Sequence, residues 1–315
     1  MKISYLASSY APFLNGVSFA VHRRTGTPAL TLVETDWLKY AATYFGRAAL
    51  ALLRPLLGAV IRRMSGSYDL HLLPAREFVD RYRSFQMVRG ELLQFHGVDT
   101  SEFVPENRRF DPIPQDHRPV LLFVSRLVPE KSPLELLDAF AAVRERVQTA
   151  HLVIVGSGQL ERQTRRKTAR FGAAVTFAGE AYGDTLKGWY ARADMLLNPS
   201  ATEAFSTVNL EAMASGTPVI AAASGGNLDQ IIPERNGLFS RPHDPADLAA
   251  QIIALLTDPP RLAKMSSLCR ESVLPLDWNA CCERLEHEML RLVANRRPAV
   301  GQLGVNSTRP AKAAA

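Results

Sequence analysis

Short apolar runs alternate with longer amphipathic stretches from one end of the chain to the other. Runs that are apolar at every position are typical of strands buried on both faces, and amphipathic stretches are typical of helices that cover a sheet. Their alternation predicts an α/β protein with doubly wound parallel sheets. The predicted strands are Ile3–Ala7, Ala29–Val33, Leu70–Leu73, Val120–Ser125, Leu152–Val155, Val175–Ala178, Met195–Asn198, Val219–Ala222 and Gly237–Phe239. The predicted helices are Pro133–Val147, Gly158–Phe171, Asp184–Ala193, Thr207–Ala214, Asp244–Thr257 and a last helix from about Trp278 through Leu292.

The same pattern predicts two domains. Residues 105–119 contain four prolines and no periodic apolar positions, which is typical of a linker. Residues 120–297 carry six strand–helix units, enough for a complete Rossmann-like domain, whereas residues 1–104 carry fewer units and are expected to form a small one. Residues 298–315 are rich in small and polar residues and are predicted to be a disordered tail.

Composition narrows the class of protein. The chain has 315 residues, of which 47% are hydrophobic and 22% charged, so it has ample material for globular domains with apolar cores. Its 37 basic and 31 acidic residues give a net charge of +6, which permits anionic ligands or an anionic membrane surface. This modest charge does not require a nucleic-acid partner, and none is expected.

Cysteine usage and the amino terminus bear on the compartment. Cys269, Cys281 and Cys282 form no CxxC pair, so neither a disulfide framework nor a zinc site is expected. The first residues lack a signal-peptide pattern, and a cytoplasmic protein is therefore expected. The basic, apolar stretch 47–63 leaves two interpretations: a helix that covers the sheet, which is favoured, or an interfacial helix that places the protein peripherally at the inner face of a membrane.

Two carboxylates stand out between Asn198 and Pro218, where a predicted strand ends and a helix begins near Ser206. In a parallel sheet this point is the ligand crevice, and the N–H groups of the helix start can hold an anionic oxygen. Glu203 precedes the helix and Glu211 lies within it, so both can meet one elongated ligand. Carboxylates accept hydrogen bonds from the vicinal hydroxyls of a sugar or ribose. Taken alone, the pair fits a solvated loop and helix face equally well.

A second strand-to-helix loop brings cations to the same edge of the sheet. It runs from Ser125 to Ser132 and contains Arg126 and Lys131. Arginine binds a diphosphate bidentately and lysine adds a point charge. A surface arginine and lysine without a ligand is the alternative, and the coincidence of the two loops favours a diphosphate site.

Two glycine-bearing loops follow at that edge. Gly156 and Gly158 come directly after a predicted strand, but Glu161 occupies the last position of GxGxxG, so the dinucleotide fingerprint is incomplete. A dehydrogenase is therefore the least favoured function. The loop instead predicts a close approach of backbone to a nucleotide, and Gly179-Glu180 adds a further loop beside it.

Together these motifs resemble the retaining family four glycosyltransferases of the GT-B fold, which transfer a sugar from a nucleoside diphosphate. The resemblance covers residues 85 to 295 and rests on the order and spacing of all the motifs. They are Gly97-Val98-Asp99 through Pro105, Ser125-Arg126 to Lys131, Val155 to Gly158, the E-x7-E pair Glu203 and Glu211, Glu211 to Ile220, and Gly225-Gly226. The resemblance implies a fold of two Rossmann-like doubly wound domains. In this chain the first of these domains is expected to be incomplete.

The resemblance also implies an activity. It implies transfer of a hexose, mannose or glucose, to a glycan or lipid-linked acceptor with retention of anomeric configuration, in glycan or glycolipid biosynthesis. No Asp-x-Asp pair occurs in the sequence, so neither a metal nor another cofactor is expected. The implied catalytic residues are Arg126 and Lys131 at the diphosphate and Glu203 at the donor sugar. The implied donor-binding residues are Glu211 at the ribose, Phe205 and Ser206 at the distal phosphate, Gly156, Gly158 and Glu180 around the nucleoside, and Gly16 at the phosphates.

The amino-terminal third departs from this family. Only a few residues separate the first strand and its Gly16 loop from a strand that relatives carry much later, and Glu34 stands where relatives commonly show histidine. His71, His96 and His151 are interpreted as packed structural residues. A sugar-nucleotide-binding protein with little or no transfer activity is therefore the main alternative, and a nucleotide-sugar epimerase of the same fold is a weaker one.

Overall fold

The computed structural model describes residues 30–32, 51, 55–56, 58–59, 70–73, 75–76, 91–94, 96–110 and 119–295. These residues form two parallel sheets, one of three strands and one of six. The predicted α/β class with two parallel-sheet units is therefore confirmed. Gly16 and the predicted strand Ile3–Ala7 lie outside the described residues, as does the predicted tail 298–315.

The smaller sheet consists of β1 (Leu30–Leu32), β2 (Leu70–Leu73) and β3 (Glu91–Gln94), paired in that order. All pairing is parallel, with Leu30 opposite Leu70 and Leu70 opposite Glu91. The apolar pattern predicts β1 and β2 but not β3. The strand Glu91–Gln94 has only two apolar residues between polar ends, too few to stand out as an apolar run.

The larger sheet follows the order β6-β5-β4-β7-β8-β9, and every neighbouring pair is parallel. Its strands are β4 (Val120–Val124), β5 (His151–Val155), β6 (Val175–Gly179), β7 (Met195–Asn198), β8 (Val219–Ala222) and β9 (Gly237–Ser240). Each agrees with its predicted strand to within one residue at either end. The chain builds outward from β4 in one direction and then from β7 in the other. The crevice between their carboxyl ends is the topological switch point, where ligands bind in sheets of this type.

The helices surround this sheet. They are α1 (Pro133–Arg146), α2 (Glu161–Thr168), α3 (Gly183–Arg192), α4 (Thr207–Ala214), α5 (Asn227–Gln230), α6 (Pro245–Leu256), α7 (Pro259–Val273) and α8 (Trp278–Asn295). Helices α6 and α7 share one start signal. The Asp244 and Asp258 side chains accept hydrogen bonds from backbone N–H groups 2.9 and 3.2 Å away, and a proline follows each aspartate.

Three helices differ from the predictions: α2 is shorter than predicted, and α5 and α7 are not predicted by the pattern. The stretch predicted as Gly158–Phe171 is α-helical only over Glu161–Thr168 and continues as a 3₁₀ helix, Ala169–Ala174, in which Gly172 has a φ of 54°. Helix α7 is not predicted by the pattern. Its buried residues Met265, Cys269 and Val273 are isolated among small and charged neighbours, so the amphipathic signal is weak.

Both faces of the larger sheet are covered, as its continuously apolar strands require. Alternate residues of β4 enter opposite cores: Leu121 and Phe123 pack with α1 and α6, and Val120 and Leu122 pack with α3, α4 and α7. All four are at most 2% exposed. The sheet edge that carries the strand-to-helix loops is thereby held on a rigid base.

The segment 96–110 joins the larger domain directly. Val98 N–H donates to Leu276 O at 3.0 Å, and Trp278 N–H donates back to Val98 O at 3.1 Å. The first part of the predicted linker is a 3₁₀ helix, Pro105–Phe110, that packs against α3. Residues 111–118 lie outside the described part, and the predicted domain limits stay a prediction.

Of the helices that the structure describes, none combines the length and apolar character that a membrane crossing requires. The basic, apolar stretch 47–63 is described only at residues 51, 55–56 and 58–59. The choice between a sheet-covering and an interfacial helix therefore falls almost wholly outside the described residues.

Candidate functional site

The loops that follow β4 and β7 meet at the switch point. The strands are parallel neighbours, with Leu121 opposite Met195, so their carboxyl ends open onto one crevice. Lys131 comes from the first loop and Glu203 from the second, and their Nζ and Oε1 atoms are 2.5 Å apart. The Glu203 side chain is 8% exposed and that of Lys131 is 21% exposed. Two residues that the sequence places 72 positions apart thus form one partly buried ion pair.

Arg126 extends from the same loop into solvent. Its side chain is 72% exposed, and its closest carboxylate is the buried Glu130 at 3.7 Å. The loop backbone is anchored from the other side, because the Ser200 and Thr202 hydroxyls donate to Glu130 O at 2.7 and 3.3 Å. Arg126 is therefore an exposed guanidinium on an anchored loop, the same loop that carries Lys131.

Two glycines in the loop after β8 contact the backbone of the loop that carries Glu203. Gly226 N–H donates to Glu203 O at 2.9 Å. A Cβ atom at Gly225 would lie 2.2 Å from Glu203 O, and one at Gly226 would lie 2.2 Å from Ala204 O. No side chain fits at such distances, so these glycines fix how closely the loop after β8 approaches the Glu203 loop.

Glu211 lies in α4 and is tied to α3. The buried Tyr190 hydroxyl donates to Glu211 Oε2 at 2.6 Å. Burial raises the pKa of Glu211, and the Tyr190 hydrogen bond opposes part of that rise. Burial, reinforced by the Glu211 carboxylate, raises the pKa of Tyr190 well above its usual range, so the phenol stays a donor.

Gly156 and Gly158 contact the chain itself. A Cβ at Gly156 would lie 2.0 Å from Ser125 O, and one at Gly158 would lie 2.6 Å from Leu127 O. Leu127 N–H donates to Ser157 O at 2.7 Å across the same gap. The glycines are thus required for the loops after β4 and β5 to touch, and their predicted contact with a nucleoside stays a prediction.

Glu180 stands at the outer end of this row of loops. It accepts hydrogen bonds from the Ser157 hydroxyl and, at 2.9 Å, from the Tyr182 hydroxyl. These two bonds, chiefly that from Ser157, lower the pKa of Glu180 and hold it ionised. The Tyr182 ring is 75% exposed, so a flat surface is presented to solvent beside this carboxylate.

Phe205 and Ser206 face inward. The Phe205 ring is 8% exposed and packs against the His96 ring with centroids 4.9 Å apart. Ser206 N–H makes a long hydrogen bond of 3.4 Å to Gln230 Oε1. A phosphate bound by this amide would have to exchange with Gln230. His96 and His151 are packed residues, as the sequence predicts, and His151 bonds to Thr176 at 2.9 Å.

A network of buried amides underlies the Glu203 loop, and sequence reasoning did not find it. Asn198 Nδ2 donates to Asn209 Oδ1 at 2.9 Å and to Ser206 Oγ at 3.0 Å. Asn209 Nδ2 donates in turn to Asn227 Oδ1 at 3.0 Å and to Gln230 Oε1 at 2.9 Å. All five side chains are at most 5% exposed. The sequence carries one signal of this network. Polar amides occupy positions of a buried strand and of a buried helix face where apolar residues are usual.

Metal ligands are a separate question. Over the ranges that the structure describes, no three side chains of His, Cys, Asp or Glu are arranged to hold a metal ion. The cations Arg126 and Lys131 are the positive groups that the described part of the crevice offers.

Known proteins resemble this chain in sequence. The family described as glycosyl transferases group 1 matches residues 105–271, the segment that contains every described site residue named above except His96. The chain belongs to this family. A GDP-mannose-dependent alpha-mannosyltransferase of Mycolicibacterium smegmatis is 32% identical to it over 273 residues, which cover 84% of this chain and 67% of that protein.

Other family members match over shorter lengths. D-inositol 3-phosphate glycosyltransferase 2 of Catenulispora acidiphila is 36% identical over 199 residues, 58% of this chain. That match covers 46% of the Catenulispora protein, so the chain spans about half the length of this relative.

Solved structures of the family extend the likeness to the fold. Sucrose-phosphate synthase from Thermosynechococcus elongatus superposes with a TM-score of 0.74 at 24% identity, over 90% of this chain and 72% of that one. HepE of Anabaena, solved in complex with UDP and glucose, superposes with a TM-score of 0.71 at 17% identity, over 89% and 76%. The fold of this chain is the GT-B fold, as the motifs predict.

Proposed function

We propose that this protein is a glycosyltransferase that moves a hexose, mannose or glucose, from a nucleoside-diphosphate sugar to a glycan or lipid-linked acceptor. The observation that carries the proposal is the Lys131–Glu203 pair, 2.5 Å apart at the switch point beside the exposed Arg126. Family membership supports the reaction class, and the relatives include a mannosyltransferase and an inositol-phosphate glycosyltransferase.

Charge stabilisation is the role proposed for the two cations. When the bond to the sugar breaks, the departing diphosphate gains negative charge, and preorganised cations stabilise that charge most in a water-poor crevice. Arg126 is exposed and can close over a diphosphate bidentately, whereas Lys131 is held in the crevice by Glu203. We infer that these cations serve the leaving group without a metal.

The carboxylates of Glu203 and Glu211 are proposed to accept hydrogen bonds from hydroxyl groups of the donor. Glu203 keeps an oxygen besides the Oε1 that contacts Lys131 and can accept from the donor sugar. Glu211 similarly has Oε2 occupied by Tyr190 and Oε1 available for a ribose hydroxyl. Their separation by one loop and the first turn of α4 suits the two ends of a nucleotide sugar.

Retention of configuration is proposed from the resemblance. In such a transfer the leaving phosphate accepts the proton of the acceptor hydroxyl while the sugar passes through an oxocarbenium-like state. The protein then orients and stabilises the reactants and needs no separate base. The anomeric configuration of the product, measured by NMR, tests this part of the proposal: a product inverted relative to the donor would overturn it.

The alternative is a sugar-nucleotide-binding protein without transfer. The observation that favours this alternative is the short stretch of sequence between the Gly16 loop and the predicted strand Ala29–Val33, which implies an abbreviated first domain. Binding and turnover must therefore be measured separately.

The test uses a panel of UDP-, GDP- and ADP-sugars with the wild type, Arg126→Ala/Lys131→Ala, Glu203→Gln and the exposed control Arg146→Gln. A ligand at a hundredfold its Kd stabilises the fold by about 2.7 kcal/mol, which a thermal shift detects. We expect one nucleotide to shift the Tm of the wild type and the control but not of the double variant. We also expect Glu203→Gln to bind and not to transfer, and EDTA to leave turnover unchanged. Binding without turnover in the wild type would favour the alternative, and no shift with any donor would overturn both.

A further inference from the structure

Helix α2 carries a concentration of positive charge that the proposed reaction does not use. The helix and the 3₁₀ helix after it lie on the α1 and α6 face of the sheet. Their five cations are Arg162, Arg165, Arg166, Lys167 and Arg170, against the carboxylates Glu161 and, from α1, Asp138. Arg165 and Arg170 stack over the Phe177 and Phe171 rings at 4.3 and 4.7 Å, whereas Arg162 and Arg166 make no ring contact among the described residues.

The ion pairs leave two of these cations without counterions. Arg165 pairs with Glu161 at 2.9 Å, and Asp138 serves both Lys167 at 2.6 Å and Arg170 at 3.7 Å. Among the described residues, no carboxylate lies within 4.0 Å of Arg162 or Arg166. Both are exposed.

These side chains line a shallow groove that is largely open to solvent. The groove has a volume of about 760 Å³, which is within the size range of small-molecule sites. A typical small-molecule site is lined mostly by apolar residues, whereas this groove has a single apolar residue in its lining. The lining residues are Leu134, Arg162, Gln163, Arg166, Lys167 and Arg170.

The spacing of the two unpaired arginines indicates the ligand chemistry. Arg162 and Arg166 are four residues apart on one helix and therefore project from the same face, where like charges repel. A ligand with two anionic groups about one helical turn apart relieves that repulsion and can be bound bidentately at each end. Phosphate groups match the guanidinium fork best.

The surroundings favour a soluble ligand over a bilayer. Membrane-surface helices combine cations with apolar side chains that insert between lipids. The large apolar residues that are exposed in the described part of the chain all lie outside α1 and α2; they are Leu56, Tyr182, Leu228, Ile232, Leu274, Trp278, Leu290 and Val293. A mostly polar groove with Leu134 as its one apolar lining residue suits a compact solute.

We propose that the α1–α2 groove is a second anion site, separate from the donor site, that binds a soluble compound with at least two phosphate groups. None of its lining residues belongs to the Arg126, Lys131, Glu203 and Glu211 set. The proposal stands whether or not the protein transfers a sugar.

The experiment measures binding of inorganic tripolyphosphate by calorimetry in the Arg126→Ala/Lys131→Ala background, which removes the donor cations. In that background Arg162→Gln/Arg166→Gln is expected to weaken binding at least about tenfold, and the exposed arginine control Arg146→Gln to change it less than about twofold. Surface substitutions of this kind leave the fold intact, and the thermal transition of each variant verifies it. The affinity is also expected to fall with added salt.

Three outcomes would overturn the proposal. Equal binding by the double variant and by the control would place the anion elsewhere. Equal affinity for citrate, which carries similar charge without phosphate, would remove the phosphate assignment. Binding to anionic phospholipid vesicles that is lost in Arg162→Gln/Arg166→Gln, without binding of tripolyphosphate, would make the groove a membrane contact. Loss of nucleotide-sugar binding in Arg126→Ala/Lys131→Ala reports on the donor site alone, so the two proposals can fail independently.

Discussion

Single residues change character when they are buried, and Glu211 and Tyr190 illustrate this. The sequence presents Glu211 as one of two similar carboxylates, and it lies largely buried, with the Tyr190 phenol oxygen 2.6 Å from its Oε2. Glu203, by contrast, has a cation at 2.5 Å. The two members of the motif thus meet a ligand in different electrostatic states. One is paired with a charge, and the other is desolvated and hydrogen-bonded to a neutral group.

This difference predicts a pH dependence of stability. Because burial raises the pKa of Glu211 in the folded state above its ordinary value of 4.5, the folded protein binds this proton more tightly than the unfolded chain does. The stabilising contribution is present below that ordinary value and is lost as pH rises through the folded-state pKa. Glu211→Gln cannot ionise, so the free energy of unfolding of this variant should rise relative to that of the wild type as pH increases from about 4.5 through the folded-state pKa of Glu211.

Urea unfolding at a series of pH values measures this gain. Tyr190→Phe provides the matched variant, because it removes the hydrogen bond that lowers the pKa of Glu211 and should widen the difference from Glu211→Gln. A difference between wild type and Glu211→Gln that does not vary with pH would contradict the prediction.

At the scale of elements, the amide network joins β7, α4 and α5 through side chains rather than through backbone pairing. Asn209 is its centre, because it accepts from Asn198 and donates to both Asn227 and Gln230. Gln230 Nε2 completes the network by donating to Ser206 O at 2.8 Å. The loop that carries Glu203 is thereby attached at its base to two helices.

Substitution of Asn209 tests the network. Asn209→Leu fills the volume but removes the buried hydrogen bonds that Asn209 makes with Asn198, Asn227 and Gln230, and it should destabilise the fold by about 2–4 kcal/mol. Thr207→Ala, an exposed substitution on the same helix, should change stability by less than about 0.5 kcal/mol. Chemical denaturation of both variants checks this. Equal stability of the two variants would mean that the amides are dispensable.

The strands and most helices of the larger domain could be predicted from the sequence, because apolar runs and amphipathic stretches are local signals. The positions of Arg126, Lys131, Glu203 and Glu211 at one edge follow from parallel topology. The amide network could not be predicted in this way. A buried Asn198 or Asn209 has the same sequence appearance as a solvated one, and its partners lie in other elements. Gly156 and Gly158 indicate a close approach, but the sequence does not say whether the neighbour is a ligand or the loop after β4.

At the scale of the whole molecule, Arg270 connects segments that are distant in the chain. Its guanidinium donates to Thr100 O at 2.6 Å, Phe103 O at 2.8 Å and Ala214 O at 2.7 Å. It therefore ties the segment before the 3₁₀ helix Pro105–Phe110 to the end of α4 and to α7. Asp277 reinforces this junction by accepting from the Thr100 hydroxyl at 2.7 Å.

Removal of this arginine should destabilise the junction. Arg270→Ala leaves three carbonyl groups without their charged donor and should cost about 2–4 kcal/mol. Arg235→Ala removes an exposed pair with Glu271 at 3.5 Å and should cost less than about 1 kcal/mol. Thermal unfolding of the two variants under identical conditions compares them, and a similar Tm for both would contradict a joining role for Arg270.

The contact between Lys131 and Glu203 also has a consequence for competition among solutes. A small inorganic anion that approaches Lys131 must displace a carboxylate that already neutralises it, and the anion gives the displaced Glu203 nothing in return. A compound that carries both a charged group and hydroxyls can satisfy the two side chains together. If the crevice is the donor site proposed above, we expect it to discriminate against the phosphate and sulfate ions of an ordinary buffer and to favour ligands with sugar hydroxyls beside the anion. Such a site can stay open in a medium where simple anions outnumber its ligand.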